Sequence, residues 1–303
     1  MRQRIFIIGG SGFVGKNMVR FLHTKYDLYV YDRFVDADFF ALFPDVKVAP
    51  IALEKEMVPI EDGTPDFLIN LAADVIGQRD ISLMDGMIQN NLRILMNLYR
   101  RFQNCAGKMK LVIQFGSLEE YGPNFIPYKE TDRECPLSPY ALAKQLTTNT
   151  AVMLYRNYGF PVCVVRPSNL FGRYQNSSKF IPYIAKTLLS GEDLNVTPCG
   201  QKRDFLYIDD FVDFIGKILE NPHRVQGEII NVGSGRSESL QDIIEFLRIK
   251  TSSSSRVNYG TIPYRENEAM QLIGDVSKLR EIIGSKEQPD FYKRLEEYIT
   301  CDI

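Results

Sequence analysis

The first 32 residues constrain the fold of this chain most, because a short apolar strand, a glycine-rich turn and a helix follow one another directly. Residues 5–8 form an apolar run that is typical of a buried parallel strand. Gly9, Gly12 and Gly15 come next, and a helical pattern continues through residues 17–22. Glycines at this spacing permit a tight turn, close approach of a pyrophosphate to the backbone and close packing of the helix. This segment therefore predicts a site for a dinucleotide.

The residue that ends the second strand indicates which dinucleotide this would be. The strand predicted over residues 28–31 is followed by Asp32. A carboxylate about twenty residues beyond the glycines is placed to accept hydrogen bonds from the adenosine ribose. Asp32 favours NAD, because its charge repels the 2′-phosphate of NADP. Arg33 follows directly and would attract that phosphate, so NADP remains an alternative.

Size and charge exclude several classes of partner. The chain has 303 residues, of which 45% are hydrophobic, and these suffice for a large core and a smaller lobe. Its formal net charge of −2 gives no reason to expect binding to nucleic acid or to an anionic membrane. No apolar stretch approaches the roughly 20 residues needed to span a bilayer.

The cysteines and histidines give no indication of a metal site. Five cysteines are scattered without metal-ligand spacing, and their odd number fits a reducing compartment. With only two histidines, a metal site or a histidine-based triad is not expected. The first strand begins almost at the N-terminus, which leaves no room for a signal peptide. We therefore expect a cytoplasmic protein.

Strand and helix patterns alternate through the first half of the chain. Further strands are predicted over residues 67–71, 110–115 and 161–166, and helices over residues 84–102 and 138–158. This alternation predicts an α/β fold, a doubly wound parallel sheet with helices on both faces. In such folds, ligands bind beyond the carboxyl ends of the strands.

After residue 169 the pattern loosens and predicts a smaller mixed α/β lobe. We expect the dinucleotide-binding domain over residues 1–168, with segments of about 205–235 returning to it. The second lobe would then comprise residues 169–204 and 236–303.

One helix carries a pair of side chains suited to proton transfer. Tyr140 and Lys144 are four residues apart, which places them on one helix face. A neighbouring positive charge favours the phenolate form of a tyrosine, so the pair would exchange protons near neutral pH. The same spacing also arises by chance on exposed amphipathic helices.

Taken together, motifs along nearly the whole chain resemble the extended short-chain dehydrogenase/reductase family, in the branch that acts on nucleotide-diphosphate sugars. Besides the glycine turn and the Tyr140–Lys144 pair, the motifs are Asn70-Leu71-Ala72-Ala73, Asn91, and the segments 116–122, 166–172, 203–210 and 231–233. The resemblance implies that Tyr140 exchanges a proton with a sugar oxygen. Lys144 would lower the pKa of Tyr140 and hold the nicotinamide ribose, and Ser117 would hydrogen-bond the same sugar oxygen.

The resemblance also implies two sets of binding residues. Cofactor-binding residues would be Gly9, Gly12, Phe13, Val14, Gly15, Asp32, Arg33, Leu71, Ala72, Ala73, Asn91, Lys144, Arg166 and Pro167. Substrate-binding residues would be Glu119, Asn169, Arg203, Arg265 and Glu268. Arginine suits a diphosphate because its planar fork donates paired hydrogen bonds. Alternatively, Arg203 forms a structural ion pair with Asp204 or Asp209, and Asn169 is a turn former.

The residues after Ser117 bear on the reaction. Sugar 4,6-dehydratases of this family commonly carry Asp-Glu or Ser-Glu directly after this position, whereas this chain has Leu118 and Glu119. Leu118 has no proton to donate, which disfavours a dehydratase of the Asp-Glu type. The segment 116–122 resembles GDP-6-deoxy-4-keto-mannose reductases, so we expect reduction of a nucleotide-linked 4-keto sugar. A 4-epimerase is the closest alternative, Glu119 keeps a dehydratase open, and a non-enzymatic dinucleotide-binding subunit is the remaining one. Glu119 and Glu120 also fit a purely structural pair.

A homodimer is expected from the same resemblance. Two helices per subunit, over residues 84–102 and 138–158, would form a four-helix bundle. Apolar side chains are available on both helices for this contact, although the same side chains would equally serve the core of one chain: Ile94, Leu95, Leu98, Val152 and Leu154.

Overall fold

The computed structural model describes residues 2–75, 79–284 and 290–303, and strands and helices alternate along most of it. The strands are β1 Arg4–Ile8, β2 Asp27–Asp32, β3 Lys47–Pro50, β4 Phe67–Asn70, β5 Leu111–Phe115, β6 Val162–Pro167, β7 Asn169–Phe171, β8 Leu194–Val196, β9 Lys202–Arg203, β10 Phe205–Tyr207, β11 Ile229–Val232, β12 Glu238–Ser239, β13 Val257–Tyr259 and β14 Gln271–Leu272. The helices are α1 Phe13–Leu22, α2 Ala37–Ala41, α3 Met84–Phe102, α4 Pro139–Tyr158, α5 Phe180–Ser190, α6 Ile208–Glu220, α7 Pro222–Val225, α8 Leu240–Lys250, α9 Ser277–Ile283 and α10 Phe291–Cys301.

Seven strands form one parallel sheet in the order β11-β6-β5-β4-β1-β2-β3. Side chains of β1 alternate between two cores. Ile5 and Ile7 pack into one core with α1 and α6, and Phe6 and Ile8 pack into the other with α3 and α4. Because both faces are covered, the strands read as continuous apolar runs. The predicted α/β fold with a doubly wound parallel sheet is confirmed.

The helix that carries the proton-transfer pair has well-defined ends. Ser138 precedes α4, and its hydroxyl accepts a hydrogen bond from the Ala141 N–H at 3.1 Å. Pro139 occupies the first turn, where a missing N–H costs nothing. Gly159 closes the helix in the left-handed conformation, with a φ of 64°. These caps fix where Tyr140 emerges, as the second residue of the helix.

The second half of the chain adds smaller sheets. Strand β11 joins the main sheet beside β6, whereas β10 pairs with β7 outside it. Strands β12, β9 and β14 form a three-stranded sheet, and β13 pairs with β8. Over the described ranges, no helix is long and apolar enough to cross a membrane.

Candidate active site

A cleft of about 600 Å³ lies beyond the carboxyl ends of the central strands, and most of the residues predicted to bind a cofactor line it. This position follows from the order of the strands, because β1 and β4 are neighbours whose following segments run to opposite sides of the sheet. The lining residues that the sequence predicted are Gly9, Gly12, Phe13, Val14, Gly15, Asp32, Arg33, Leu71, Ala72, Ala73, Tyr140, Lys144 and Pro167.

The three glycines of the turn have different physical roles. At Gly9, where φ is +82°, a Cβ atom would lie 2.9 Å from the backbone nitrogen of Ala72. At Gly15 it would lie 2.4 Å from the Cα atom of Gly10. At Gly12 the nearest atom is a carbonyl oxygen 3.5 Å away, so this residue presents a bare backbone to the cleft. Gly9 and Gly15 are needed for packing, and Gly12 leaves the open cradle that a pyrophosphate fits.

Acidic side chains surround the position expected for the adenosine ribose. The Asp32 carboxylate accepts a hydrogen bond from the Ser11 N–H at 2.9 Å. Arg33 is shared between Glu54, at 3.6 Å, and Asp74, at 3.4 Å, and both acids line the cleft. Next to the expected ribose position there are three carboxylates and one guanidinium, so the local charge is negative. This charge repels the 2′-phosphate of NADP and therefore favours NAD. Glu54 and Asp74 escaped the sequence prediction, because they lie 21 and 41 residues from Arg33 and follow different strands.

Lys144 is buried at the floor of the cleft. Its ammonium nitrogen donates a hydrogen bond to the carbonyl oxygen of Phe115 at 2.9 Å and lies 5.8 Å from the centre of the Tyr140 ring. Burial lowers the pKa of Lys144 to about 8, against an opposing effect of the Glu120 charge. The lysine is therefore positioned by the end of β5 as well as by its own helix.

The sequence predicted that Lys144 lowers the pKa of Tyr140, but in the structure this pKa is raised. Burial raises the pKa of Tyr140, the charges of Glu119 and Glu120 raise it further, and an interaction with the Ser117 side chain only partly opposes them. The reason is that the phenolate would be taken out of water beside two carboxylates. Tyr140 consequently keeps its phenolic proton more firmly than a tyrosine in water does, which favours a role as proton donor.

Ser117 lies at the point where β5 enters a 3₁₀ turn, Leu118–Tyr121. Its hydroxyl oxygen accepts a hydrogen bond from the Glu119 N–H at 3.2 Å. Its own N–H donates to the Glu120 carboxylate at 2.8 Å, which completes a reciprocal cap of this turn. The cap fixes the serine next to Tyr140.

Leu118 and Glu119 point in different directions. Leu118 is buried against Tyr121, Tyr128 and Leu272 in a small apolar cluster. The Glu119 side chain remains exposed to solvent, and Glu119 raises the pKa of Tyr140 by its charge. Of these two residues, Glu119 thus supplies an acidic group near Tyr140, and Leu118 supplies none.

Four basic residues surround Glu119. Although Glu119 is accessible to solvent, partial desolvation by the surrounding protein raises its pKa, while the positive charges of four side chains lower it: Arg79, Arg203, Lys179 and Arg265. Lys179 lines the cleft directly. Lys179 and Arg79 were not predicted from the sequence, and only their approach in space identifies them. A concentration of positive charge of this kind favours a doubly charged diphosphate.

The predicted substrate residues of the second lobe are partly paired with one another. Arg203 donates a hydrogen bond to the Glu268 carboxylate at 2.6 Å, in place of the ion pairs with Asp204 or Asp209 that the sequence left open. Asp204 instead accepts hydrogen bonds from the Ser234 and Gly235 N–H groups. Arg265 is exposed, and the Asn169 amide donates to the Asp204 carbonyl at 3.2 Å.

Two residues predicted to bind the cofactor lie away from the cleft surface. The Arg166 side chain is completely buried and forms ion pairs with Glu120 and Glu134. Side-chain contact between Arg166 and a cofactor is therefore excluded in this arrangement. Asn91 is also buried, and its side-chain oxygen accepts a hydrogen bond from the Asp74 N–H at 2.8 Å. Both side chains support residues or segments that line the cleft.

Comparison with known protein families gives one match that covers most of the chain. A model described as "NAD dependent epimerase/dehydratase family" matches residues 5–233. This match spans the glycine turn, Ser117, the Tyr140–Lys144 pair and β11.

Similar proteins carry different sugar nucleotides in their names. CDP-abequose synthase from Salmonella muenchen is 35% identical over 128 residues, which are 42% of this chain and 44% of that protein. GDP-6-deoxy-D-talose 4-dehydrogenase from Aggregatibacter actinomycetemcomitans is 25% identical over 291 residues, covering 93% of this chain and 92% of that protein. Among solved structures, the UDP-N-acetylglucosamine 4-epimerase from Methanobrevibacter ruminantium has a TM-score of 0.88 at 23% identity, covering 99% and 97% of the two chains. The last likeness shows a shared fold.

Proposed function

The chain belongs to the NAD dependent epimerase/dehydratase family, and on that premise we propose that it reduces the C4 ketone of a nucleotide-diphosphate 4-keto-6-deoxyhexose. The cofactor of this family is NAD, which supplies or takes up hydride when bound. In the proposed reaction, Tyr140 donates its phenolic proton to the C4 oxygen, and Ser117 hydrogen-bonds the same oxygen. Lys144 would hold the nicotinamide ribose. Gly12 and Asp32 would hold the pyrophosphate and the adenosine ribose.

The observation that carries this proposal is the surroundings of Tyr140 in the cleft. Burial and the charges of Glu119 and Glu120 raise its pKa, so its phenolate form is less accessible than that of a tyrosine in water. Reduction of a ketone begins with a proton donor at this position. Epimerisation and 4,6-dehydration both begin with oxidation of the C4 alcohol, for which Tyr140 would have to act first as a base. The electrostatic environment therefore supports the reductive direction.

The position of Leu118 argues against a dehydratase. An elimination of water across C5 and C6 needs both an acid and a base beside the sugar. Leu118 is only 2% exposed and packs into the apolar cluster around Tyr128, so no proton donor stands there. Glu119 alone remains on the substrate side of the turn.

The second lobe would hold the nucleotide diphosphate. We propose that Arg203 and Arg265, together with Lys179, bind its phosphates, and that Glu268 and Asn169 lie at the edges of this site. The 2.6 Å pair between Arg203 and Glu268 pre-orients the guanidinium, since it holds one edge of the fork in place. Residues 169–204 and 236–303 would then form a substrate lobe over a dinucleotide-binding domain of residues 1–168, to which segments of about 205–235 return.

A 4-epimerase is the second candidate. The specific observation in its favour is the acidic ribose pocket of Asp32, Glu54 and Asp74, which suits the permanently bound NAD of such an enzyme. In that case the positive charge of oxidised nicotinamide would have to lower the Tyr140 pKa. A non-enzymatic dinucleotide-binding role has no comparable support, because Tyr140 and Lys144 line one cleft and the Ser117 side chain interacts with Tyr140.

We also propose a homodimer formed by α3 and α4. Ile94, Leu95 and Leu98 are buried within the chain's own core and are not available for a partner. Leu146 and Met153 on α4 remain more than one third exposed and lie seven residues apart, two turns along one face. This face would meet its symmetry mate in a four-helix bundle.

The test is a substrate panel read by cofactor consumption. The purified protein is denatured and its released dinucleotide identified; fresh protein is then incubated with CDP-, GDP-, UDP- and dTDP-linked 4-keto-6-deoxyhexoses and NADH or NADPH. We expect one reduced cofactor to be oxidised per sugar reduced. Tyr140→Phe should reduce kcat by about 10²- to 10⁴-fold, the usual contribution of a general acid. Tyr155→Phe, on the same helix, is the matched control and should keep wild-type activity.

Conversion of one nucleotide sugar into another without net cofactor oxidation would replace the reductase by the epimerase. Full activity of the Tyr140→Phe variant would refute the catalytic role of this tyrosine in either reaction.

A further inference from the structure

A fully buried carboxylate lies directly beneath the proposed catalytic serine. The Glu120 side chain has no solvent exposure, and one of its oxygens accepts hydrogen bonds from the Ser117 N–H at 2.8 Å and the Thr148 hydroxyl at 3.1 Å. The other oxygen accepts two hydrogen bonds from Arg166, at 3.0 and 2.7 Å. Four donors thus fix this carboxylate in a single orientation.

Arg166 joins this carboxylate to a second, more peripheral acid. The same guanidinium nitrogen that contacts Glu120 lies 2.6 Å from the Glu134 carboxylate. The guanidinium also stacks on the Tyr121 ring, 4.5 Å from its centre. Glu134 makes its ion pair from the surface side and is partly exposed, whereas Glu120 makes it from the side of Ser117.

Stability alone gives a weak reason for such an arrangement. Burying two charges costs several kcal/mol of desolvation per ion, and well-packed apolar side chains often replace a buried ion pair without loss of stability. What an apolar side chain would not provide is an acceptor for the Ser117 N–H. The arrangement is therefore explained best by the group that it orients.

We propose that Glu120, held by Arg166, is a positioning residue that orients the Ser117 hydroxyl toward the sugar C4 oxygen, an inference that rests on the proposed function. The Ser117 backbone is fixed by the Glu120 carboxylate, and its hydroxyl accepts from the Glu119 N–H at 3.2 Å. Because the hydroxyl accepts this hydrogen bond through one of its lone pairs, its own proton remains available for donation to the sugar C4 oxygen. The negative charge of Glu120 also opposes the lowering of the Lys144 pKa by burial, so it helps the lysine to stay charged.

The two acids on Arg166 provide a matched comparison. Glu120→Met removes the acceptor for Ser117, Glu120→Gln retains an amide oxygen in its place, and Glu134→Met removes only the outer partner of the guanidinium. With the 4-keto sugar that the wild-type protein reduces, we expect Glu120→Met to lower kcat about 10²-fold, the effect of a misplaced catalytic group. KM for the nucleotide sugar should change less than about 3-fold. Glu120→Gln should recover most of kcat, and Glu134→Met should stay within about 3-fold of wild type.

A second readout does not depend on catalysis. Amide hydrogen exchange of the full chain should be accelerated in the peptide containing Ser117 and Glu119 when Glu120 is replaced by Met, and unchanged there when Glu134 is replaced. If Glu120→Met does not fold, the Glu120→Met/Arg166→Met double variant, which leaves no unpaired charge in the core, is compared with Glu134→Met by the same two readouts.

Equal loss of kcat in the Glu120 and Glu134 variants would overturn the proposal, since the network would then be only structural. So would unchanged exchange at Ser117 in the Glu120→Met protein. If the wild-type protein reduces no ketone, the proposed function fails, and the exchange comparison still decides whether Glu120 positions Ser117.

Discussion

Release of Arg33 from its two acidic partners should let the protein accept NADPH. In the structure, Glu54 and Asp74 hold this guanidinium at 3.6 and 3.4 Å. Replacing them in a Glu54→Gln/Asp74→Asn variant keeps the shape of both side chains and removes two negative charges. Arg33 would then be free to turn toward the 2′-phosphate next to the adenosine ribose.

The size of the effect follows from the exposure of the arginine. Its side chain is 47% exposed, so solvent screens each pair, and such pairs are worth about 0.2–1 kcal/mol. Two pairs together give about 0.4–2 kcal/mol. Since 1.4 kcal/mol corresponds to a factor of ten, the Kd for NADPH should fall by about 2- to 30-fold. The Kd for NADH, which lacks the phosphate, should change by less than about 2-fold.

The assay is a titration of NADH and NADPH by calorimetry or by cofactor fluorescence, in parallel for wild type and variant. Glu56→Gln removes an exposed acid two residues from Glu54 and is the matched control for a general change in charge. An unchanged Kd for NADPH in a correctly folded double variant would refute the argument that these acids restrain Arg33. An equal gain in the Glu56→Gln control would refute it as well, because long-range charge would then suffice.

Three further predictions concern the glycine turn and the proton-transfer pair. Gly15→Ala places a methyl group against backbone and should cost about 1–3 kcal/mol of unfolding free energy, whereas Gly12→Ala should unfold like wild type but bind NADH at least about 10-fold more weakly. Denaturant unfolding measures the first effect and cofactor titration the second. Equal stability of both variants would contradict the different roles assigned to these glycines. The pKa of Lys144 is lowered to about 8 in the folded protein, so between pH 8 and 10.5 the unfolded state binds more protons and stability rises with pH. The stability of wild type relative to Lys144→Met should therefore grow by up to about 3 kcal/mol across this pH window. A stability difference that does not change with pH would show that the lysine is not held in the buried state. Glu119→Gln removes a charge that raises the pKa of Tyr140, so the alkaline limit of ketone reduction should move to lower pH in a kcat profile, and a limit that stays in place or moves upward would contradict the effect.

Local sequence patterns sufficed for most strands of the main sheet and for the helices that carry the site, whereas the edge strand β3 was not predicted. The helix predicted over residues 84–102 has the same bounds in the structure, and the one predicted over 138–158 differs only in that Ser138 caps it. These segments have strong periodicity or clear caps, so local sequence determines them. The two-residue strands β9, β12 and β14 were missed because they depend on pairing with distant segments.

Within the candidate site, the sequence indicated the residue types but not the electrostatics. The glycine turn and the strand ends place Gly12, Asp32 and Lys144 around one cleft, as their spacing suggests. The state of Tyr140 depends on burial and on the Glu119 and Glu120 charges, and no spacing rule reports these. For the same reason, Arg166 was assigned to the cofactor, although it is buried between two acids contributed by other segments.

The most direct test of ketone reduction follows the hydride itself. A nucleotide-linked 4-keto-6-deoxyhexose is reduced with NADH carrying deuterium at both hydrogen positions of nicotinamide C4, and the sugar product is examined by mass spectrometry and NMR. The proposed function predicts one deuterium at C4 of the sugar for each NADH oxidised, with the label at that carbon alone. Product formed without deuterium and without loss of NADH would contradict it, because hydride would then return from a cofactor that stays bound.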